Sequence, residues 1–145
     1  MDQLSKSKDA PKKIAHIGIA VKNLHDSINF YTDLLGLTLE RVEEVASEQV
    51  RVAFLKIGES RIELLEPLSN ESPIYRFIHK KGEGIHHIAL EVNNINDRLA
   101  NLKSNGIQLI NEQAKEGADN AQIAFLHPKS TNGVLFELCQ HQNKE

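Results

Sequence analysis

Short runs in which apolar residues alternate with small or polar ones punctuate this chain, and their order occurs twice. Alternation of this kind marks half-buried strands, because successive strand side chains point to opposite faces. The first run covers residues 14–21, IAHIGIAV. A helix is predicted after it, capped by Asn23 or Asp26, carried by Ser27, Phe30, Tyr31, Leu34 and Leu35, and stopped at Gly36. Three strands follow, LTLERVEEV, QVRVAFLKI and SRIELLEP, the last two forming a hairpin about Gly58 and Glu59. Residues 68–84 form a connector with a short helix over 73–81 and a KGEG turn.

The second pass repeats this order. A strand over 86–92 leads to a helix over 95–104, capped by Asn94 or Asn96 and ended by Asn105 and Gly106. IQLINEQ, AQIAFLHP and GVLFELCQ supply three more strands, with LHPKSTNG joining the last pair. The fold class is therefore α+β: two tandem β-α-β-β-β modules at about 12–67 and 85–141, one domain in all.

The repeat carries chemistry. AHIGIAV recurs as HHIALEV, and each copy is followed by a strand with a central glutamate, RIELL and LFELC. His16 precedes Glu63 by 47 residues and His87 precedes Glu137 by 50. Parity places Ile17, Ile19 and Val21 on the helix-covered face, with His16 and Gly18 opposite; in the second copy Ile88, Leu90 and Val92 oppose His87, Ala89 and Glu91. All four polar residues then project from one concave face. A lone strand histidine is usually a core residue, but two imidazoles facing two buried carboxylates call for a cation between them. His87 is preferred to its neighbour His86, which alternation sends beneath the helix.

Composition narrows the partners. At 145 residues the chain holds one core, and 40% hydrophobic with 26% charged residues is a globular profile. A net charge of −3 gives no global field for nucleic acid or a membrane surface. The lone Cys139 excludes an internal disulfide and reads as a core filler. No apolar run approaches the ~20 residues of a bilayer span, and the lysine-rich start reads as a solvated tail over residues 1–11, so a cytoplasmic location is expected.

These motifs resemble the vicinal oxygen chelate (glyoxalase-like) superfamily over residues 13–140. Within it LLEPLSNESPI, GEGIHHIA and HPKSTNGVLFEL are similar to the methylmalonyl-CoA epimerases. The resemblance implies one divalent metal ion held by His16, Glu63, His87 and Glu137, with Co²⁺ favoured and Mn²⁺, Ni²⁺ or Zn²⁺ accepted by the same donors. It implies an acyl-CoA substrate whose α-proton is removed and returned through a metal-stabilised enolate, and a homodimer. Glu137 is one expected acid/base. The second is open: Ala53 aligns with a glutamate of some relatives, Glu48 serves if its loop folds back, and Glu91 or a water are alternatives. Lys129 and Ser130 are expected at the CoA phosphates, with Arg51 and Lys12 as lesser candidates.

Two other functions compete. A glyoxalase I (lactoylglutathione lyase) type isomerase can share the ligand set, but HPKSTNG and LLEPLSNESPI favour the epimerase. A non-catalytic binding protein on the same fold has no need of the four polar residues. An iron-dependent extradiol dioxygenase leaves Glu63 without a role.

Overall fold

All but one of the alternating runs become strands in one mixed sheet, which a computed structural model describes over residues 10–142. The tail expected over residues 1–11 therefore lies outside the described residues as far as residue 9. In the first half β1 (Lys13–Ala20) leads into α1 (Leu24–Asn29), then β2 (Thr38–Val45), β3 (Val50–Ile57) and β4 (Ser60–Pro67). A helix α2 (Pro73–Lys81) crosses to the second half, β5 (Gly84–Glu91), α3 (Ile95–Ser104), β6 (Lys115–Glu116), β7 (Ala121–Phe125) and β8 (Phe136–His141). Asn23 caps α1 by accepting from the Asp26 N–H, and Ser72 caps α2 by accepting from the Ile74 N–H. Past Asn29 the first helix widens into a π turn over Phe30–Leu34, closed by the Leu35 N–H on the Phe30 carbonyl, before Gly36.

The strand order β2-β3-β4-β1-β5-β8-β7-β6 is a near two-fold arrangement about the β1–β5 pair. In each half the first and last strands run parallel, β1 with β4 and β5 with β8, while β1 and β5 meet antiparallel. Helix-facing residues form two outer cores. Val21, Leu24, Ala53, Leu55 and Leu64 pack under α1, and Val92, Leu99, Ala124, Leu126 and Leu138 pack under α3. The polar residues face the other way, into the hollow of the curled sheet. One expected strand is missing: residues 107–113 contribute only a single bridge, Leu109 to Leu126, and β6 forms later with two residues. Asn111 explains the difference, since its side chain accepts from the Phe125 N–H in place of a backbone carbonyl.

Because β6 is so short, charge rather than backbone pairing draws the two outer edges of the sheet together. Asp119 accepts from Arg41 of β2 at 2.6 Å and from Arg61 of β4, and its own N–H donates to Glu43. Lys115 reaches Glu48 at 2.7 Å. His141 bridges Asp119 at 3.2 Å and the buried Glu91 at 2.7 Å. The Glu91 hydrogen bond, opposed by burial and aided by the Asp119 charge, raises the His141 pKa above its ordinary value. A raised imidazole pKa contributes stability that is complete below the unfolded value of about 6.5 and is lost as pH climbs through the folded value. We expect wild-type denaturant stability to fall with pH above about 6.5 more steeply than that of His141→Gln; parallel curves would remove this role.

Candidate metal centre

Strand register assembles the centre as two rows. The Gly18 Cα pairs with Glu63 of β4 on one side and His87 of β5 on the other. Two residues along, Ala89 pairs with His16 of β1 and Glu137 of β8. Each row thus has a small residue flanked by one imidazole and one carboxylate, and each is ended by a phenylalanine, Phe54 beside Glu63 and Phe125 beside Glu137. The small residues are required by space. A Cβ on Gly18 would lie 2.3 Å from the His87 Cε1, so the ring occupies the volume a side chain would fill.

The four residues His16, Glu63, His87 and Glu137 are 7, 5, 6 and 4% exposed. The His16 Nε2 stands 3.1 Å from the His87 Nε2 and 3.6 Å from the Glu137 Oε1, and His87 Nε2 stands 3.1 Å from that same oxygen. One donor atom each from His16, His87 and Glu137 lies within 4.8 Å of the others. Glu63 sits on the other side of the first imidazole, 3.1 Å from the His16 Nδ1. Three of the four expected ligands therefore converge on one point, with the fourth one ring away.

Burial opposes charge on all of these groups, and their partners decide the outcome. Burial pushes the Glu137 carboxyl up, but hydrogen bonds from His16 and His87 and their positive field hold it down at about 2. Burial raises Glu63, against the pull of His16, and the nearby Glu137 raises it further. Burial draws His16 down, and the charge of Glu63 followed by the Glu137 hydrogen bond carries it above its ordinary value. The donor set suits a divalent cation of intermediate softness: two imidazole nitrogens and a buried carboxylate held anionic, at the wall of a cavity of about 290 Å³.

Alternation fails at one informative place. Gly18 pairs with His87 and Ile19 with Ile85, so His86 is an extra residue, a β-bulge. Contrary to the expectation from parity, His86 lines the same cavity as His87, their Nδ1 atoms 3.0 Å apart. It also meets α2, its ring edge-on to Phe77 with centroids 4.9 Å apart. Burial, then the neighbouring His87, lower its pKa to about 4.

Other expected residues fall as follows. Glu48, on the turn Ala46–Glu48 stabilised by Gln49 in the left-handed region, does fold back to line the cavity. Ala53 is fully buried under α1; on that strand Val50 and Val52 face the cavity instead. Glu91 lies among β8 groups, taking hydrogen bonds from the His141 N–H and the Cys139 thiol. Burial pushes the Cys139 thiol well above its ordinary range, which suits a core filler. Lys129 is exposed, the Ser130 hydroxyl accepts from the Gln108 N–H, and neither is among the residues lining the cavity. Arg51 is paired with Glu44 and Glu66, while the Lys12 N–H donates to the Glu91 carbonyl. Lys115, Asp119 and His141 also line the cavity, and sequence reasoning missed these roles because no repeat partner singled them out.

The chain belongs to the Glyoxalase/Bleomycin resistance protein/Dioxygenase superfamily, whose model matches residues 15–125. Within it the chain is similar to the mitochondrial methylmalonyl-CoA epimerase of Homo sapiens, 38% identical over 141 residues, spanning 97% of this chain and 80% of that protein. A solved methylmalonyl-CoA epimerase of Mycobacterium tuberculosis superimposes with a TM-score of 0.90 at 33% identity, covering 97% of this chain and 95% of that one. That of Streptomyces coelicolor, a variant in complex with 2-nitronate-propionyl-CoA, gives 0.89 at 33% identity over 94% and 99%. Among the described residues no helix is long and apolar enough to cross a membrane.

Gly18→Ala tests the row geometry. The added methyl displaces the His87 ring, so thermal stabilisation by Co²⁺ or Mn²⁺ is expected to weaken about 10–100-fold in metal concentration, with an apo-protein loss of about 1–3 kcal/mol. Unchanged metal response would show that the ring is not confined by this contact.

Proposed function

We propose that this chain interconverts the two epimers of methylmalonyl-CoA, holding one divalent ion through His16, His87 and Glu137 with Glu63 completing the set. The observation that carries the reading is the meeting of three buried donor atoms from both halves of the chain at the wall of an apolar cavity. Sequence likeness to methylmalonyl-CoA epimerases along almost the whole chain supports the choice of substrate.

The chemistry follows from the substrate's chiral carbon, which lies between a thioester carbonyl and a carboxylate. Removing its hydrogen leaves an electron pair that must delocalise onto oxygen, and a second group must return a proton to the opposite face. A bound divalent ion supplies positive charge where that oxygen becomes negative. Glu137, anionic at neutral pH because two imidazoles hold it so, is the acceptor on one face. Glu48 is the partner on the other: Val52 has no proton to exchange, while Glu48 lines the same cavity, paired with Lys115. Val45, Val50, Val52, Leu65 and Ile74 form apolar wall that excludes water. Co²⁺ is the favoured ion, the protein works as a homodimer in the cytoplasm, and Lys129 and Ser130 are offered to the CoA phosphates from outside the cavity.

Exchange of the α-proton in D₂O, followed by NMR, tests the assignment. Glu137→Gln is expected to lower exchange by at least ~10³-fold, removing an acceptor and a ligand together. Glu48→Gln should cost ~10²–10⁴-fold in epimerisation while one-sided exchange survives. Turnover of the methylglyoxal–glutathione hemithioacetal in preference to methylmalonyl-CoA would reject the reading.

A further inference from the structure

We propose that His86 is a positioning residue, placed by the bulge in β5 to fix the tautomer and orientation of the His87 ring. This rests on the metal-centre reading above and deepens it. An imidazole that offers Nε2 to a cation carries its one proton on Nδ1, and that N–H needs an acceptor. The His86 Nδ1 stands 3.0 Å from the His87 Nδ1, so the proton of His87 lies between them and the proton of His86 is on its own Nε2.

Three features hold His86 in that role. The bulge turns two consecutive side chains toward one cavity, which regular alternation forbids. The His86 ring is set edge-on against Phe77, centroids 4.9 Å apart, so α2 fixes its plane. On the far side Gly18 leaves no room between its backbone and the His87 ring. The other metal-facing imidazole is steadied differently: the His16 Nδ1 faces the Glu63 carboxylate at 3.1 Å. One ring therefore meets a carboxyl group that itself belongs to the proposed ligand set, and the other meets a second imidazole outside that set.

The test separates the hydrogen bond from the packing. His86→Phe keeps a ring against Phe77 but removes the acceptor, whereas His86→Asn keeps an acceptor near the same place and removes the ring. Zn²⁺ affinity of the purified protein, measured by chelator competition, is expected to fall about 10–100-fold in His86→Phe and less than about threefold in His86→Asn. Long-range ¹H–¹⁵N correlation on the Zn²⁺-loaded wild type should show His87 protonated at Nδ1 and His86 at Nε2. Two results would overturn the assignment: a His86 proton on Nδ1, or equal affinity in wild type and His86→Phe. Loss in His86→Asn with none in His86→Phe would also overturn it, leaving the contact with Phe77 as the whole role. A wild type that binds no Zn²⁺ would overturn the metal-centre reading and this inference with it, whereas wild-type binding with unaffected variants removes this inference alone.

Discussion

Everything at the centre depends on spacing between neighbouring strands. Strands run roughly 4.8 Å apart, so side chains on two strands can lean together over a third only where the residue between them is small. Gly18 and Ala89 are those middle residues, and they allow His87, Glu63, His16 and Glu137 to lean toward one another instead of standing upright. The outer faces of the same strands supply apolar surface to α1 and α3, so part of the stability that keeps two carboxylates out of water comes from the far side of the sheet, and the rest from the apolar residues of the hollow itself.

Much of this was legible because the chain states it twice. Matched spacing and parity located His16, Glu63, His87 and Glu137, and the apolar faces of β1, β4, β5 and β8 pack as alternation requires. Helices over 73–81 and 95–104 have the expected extents, but neither Asn94 nor Asn96 caps the second: the Gln140 side chain accepts from the Ile95 N–H, and Asn96 accepts from the Ala114 N–H. Where sequence reasoning failed, a local event broke the period. At His86 the strand spends an extra residue, and no propensity marks a bulge between two histidines. At 107–113 an asparagine side chain takes a position in the ladder, leaving an apolar-looking run with one bridge and scattered backbone hydrogen bonds in place of a strand. Asp119 was invisible because its partners, Arg41, Arg61 and His141, are scattered over the whole chain.

The two halves are related but not equivalent, and the difference falls on the acid/base pair. Glu137 belongs to the repeat and is fixed by the sheet. Glu48 belongs to the turn between β2 and β3, where Gln49 adopts a left-handed backbone; the matching turn between β6 and β7 carries Asp119, which is held by Arg41 and Arg61 instead. A reaction that works on opposite faces of one carbon has no use for perfect symmetry.

The two junctions between the halves are unlike in kind. Along β1 and β5 they share a ladder of main-chain hydrogen bonds broken only by bulges; across the opposite mouth, carboxylate, guanidinium and ammonium groups near solvent do the holding. Ionic strength acts more on the second than on the first, since salt weakens pairs between solvent-exposed charges while the ladder joins neutral peptide groups. The molecule is therefore a clasp with a hydrogen-bonded spine and electrostatic lips, and added salt loosens the lips before the spine.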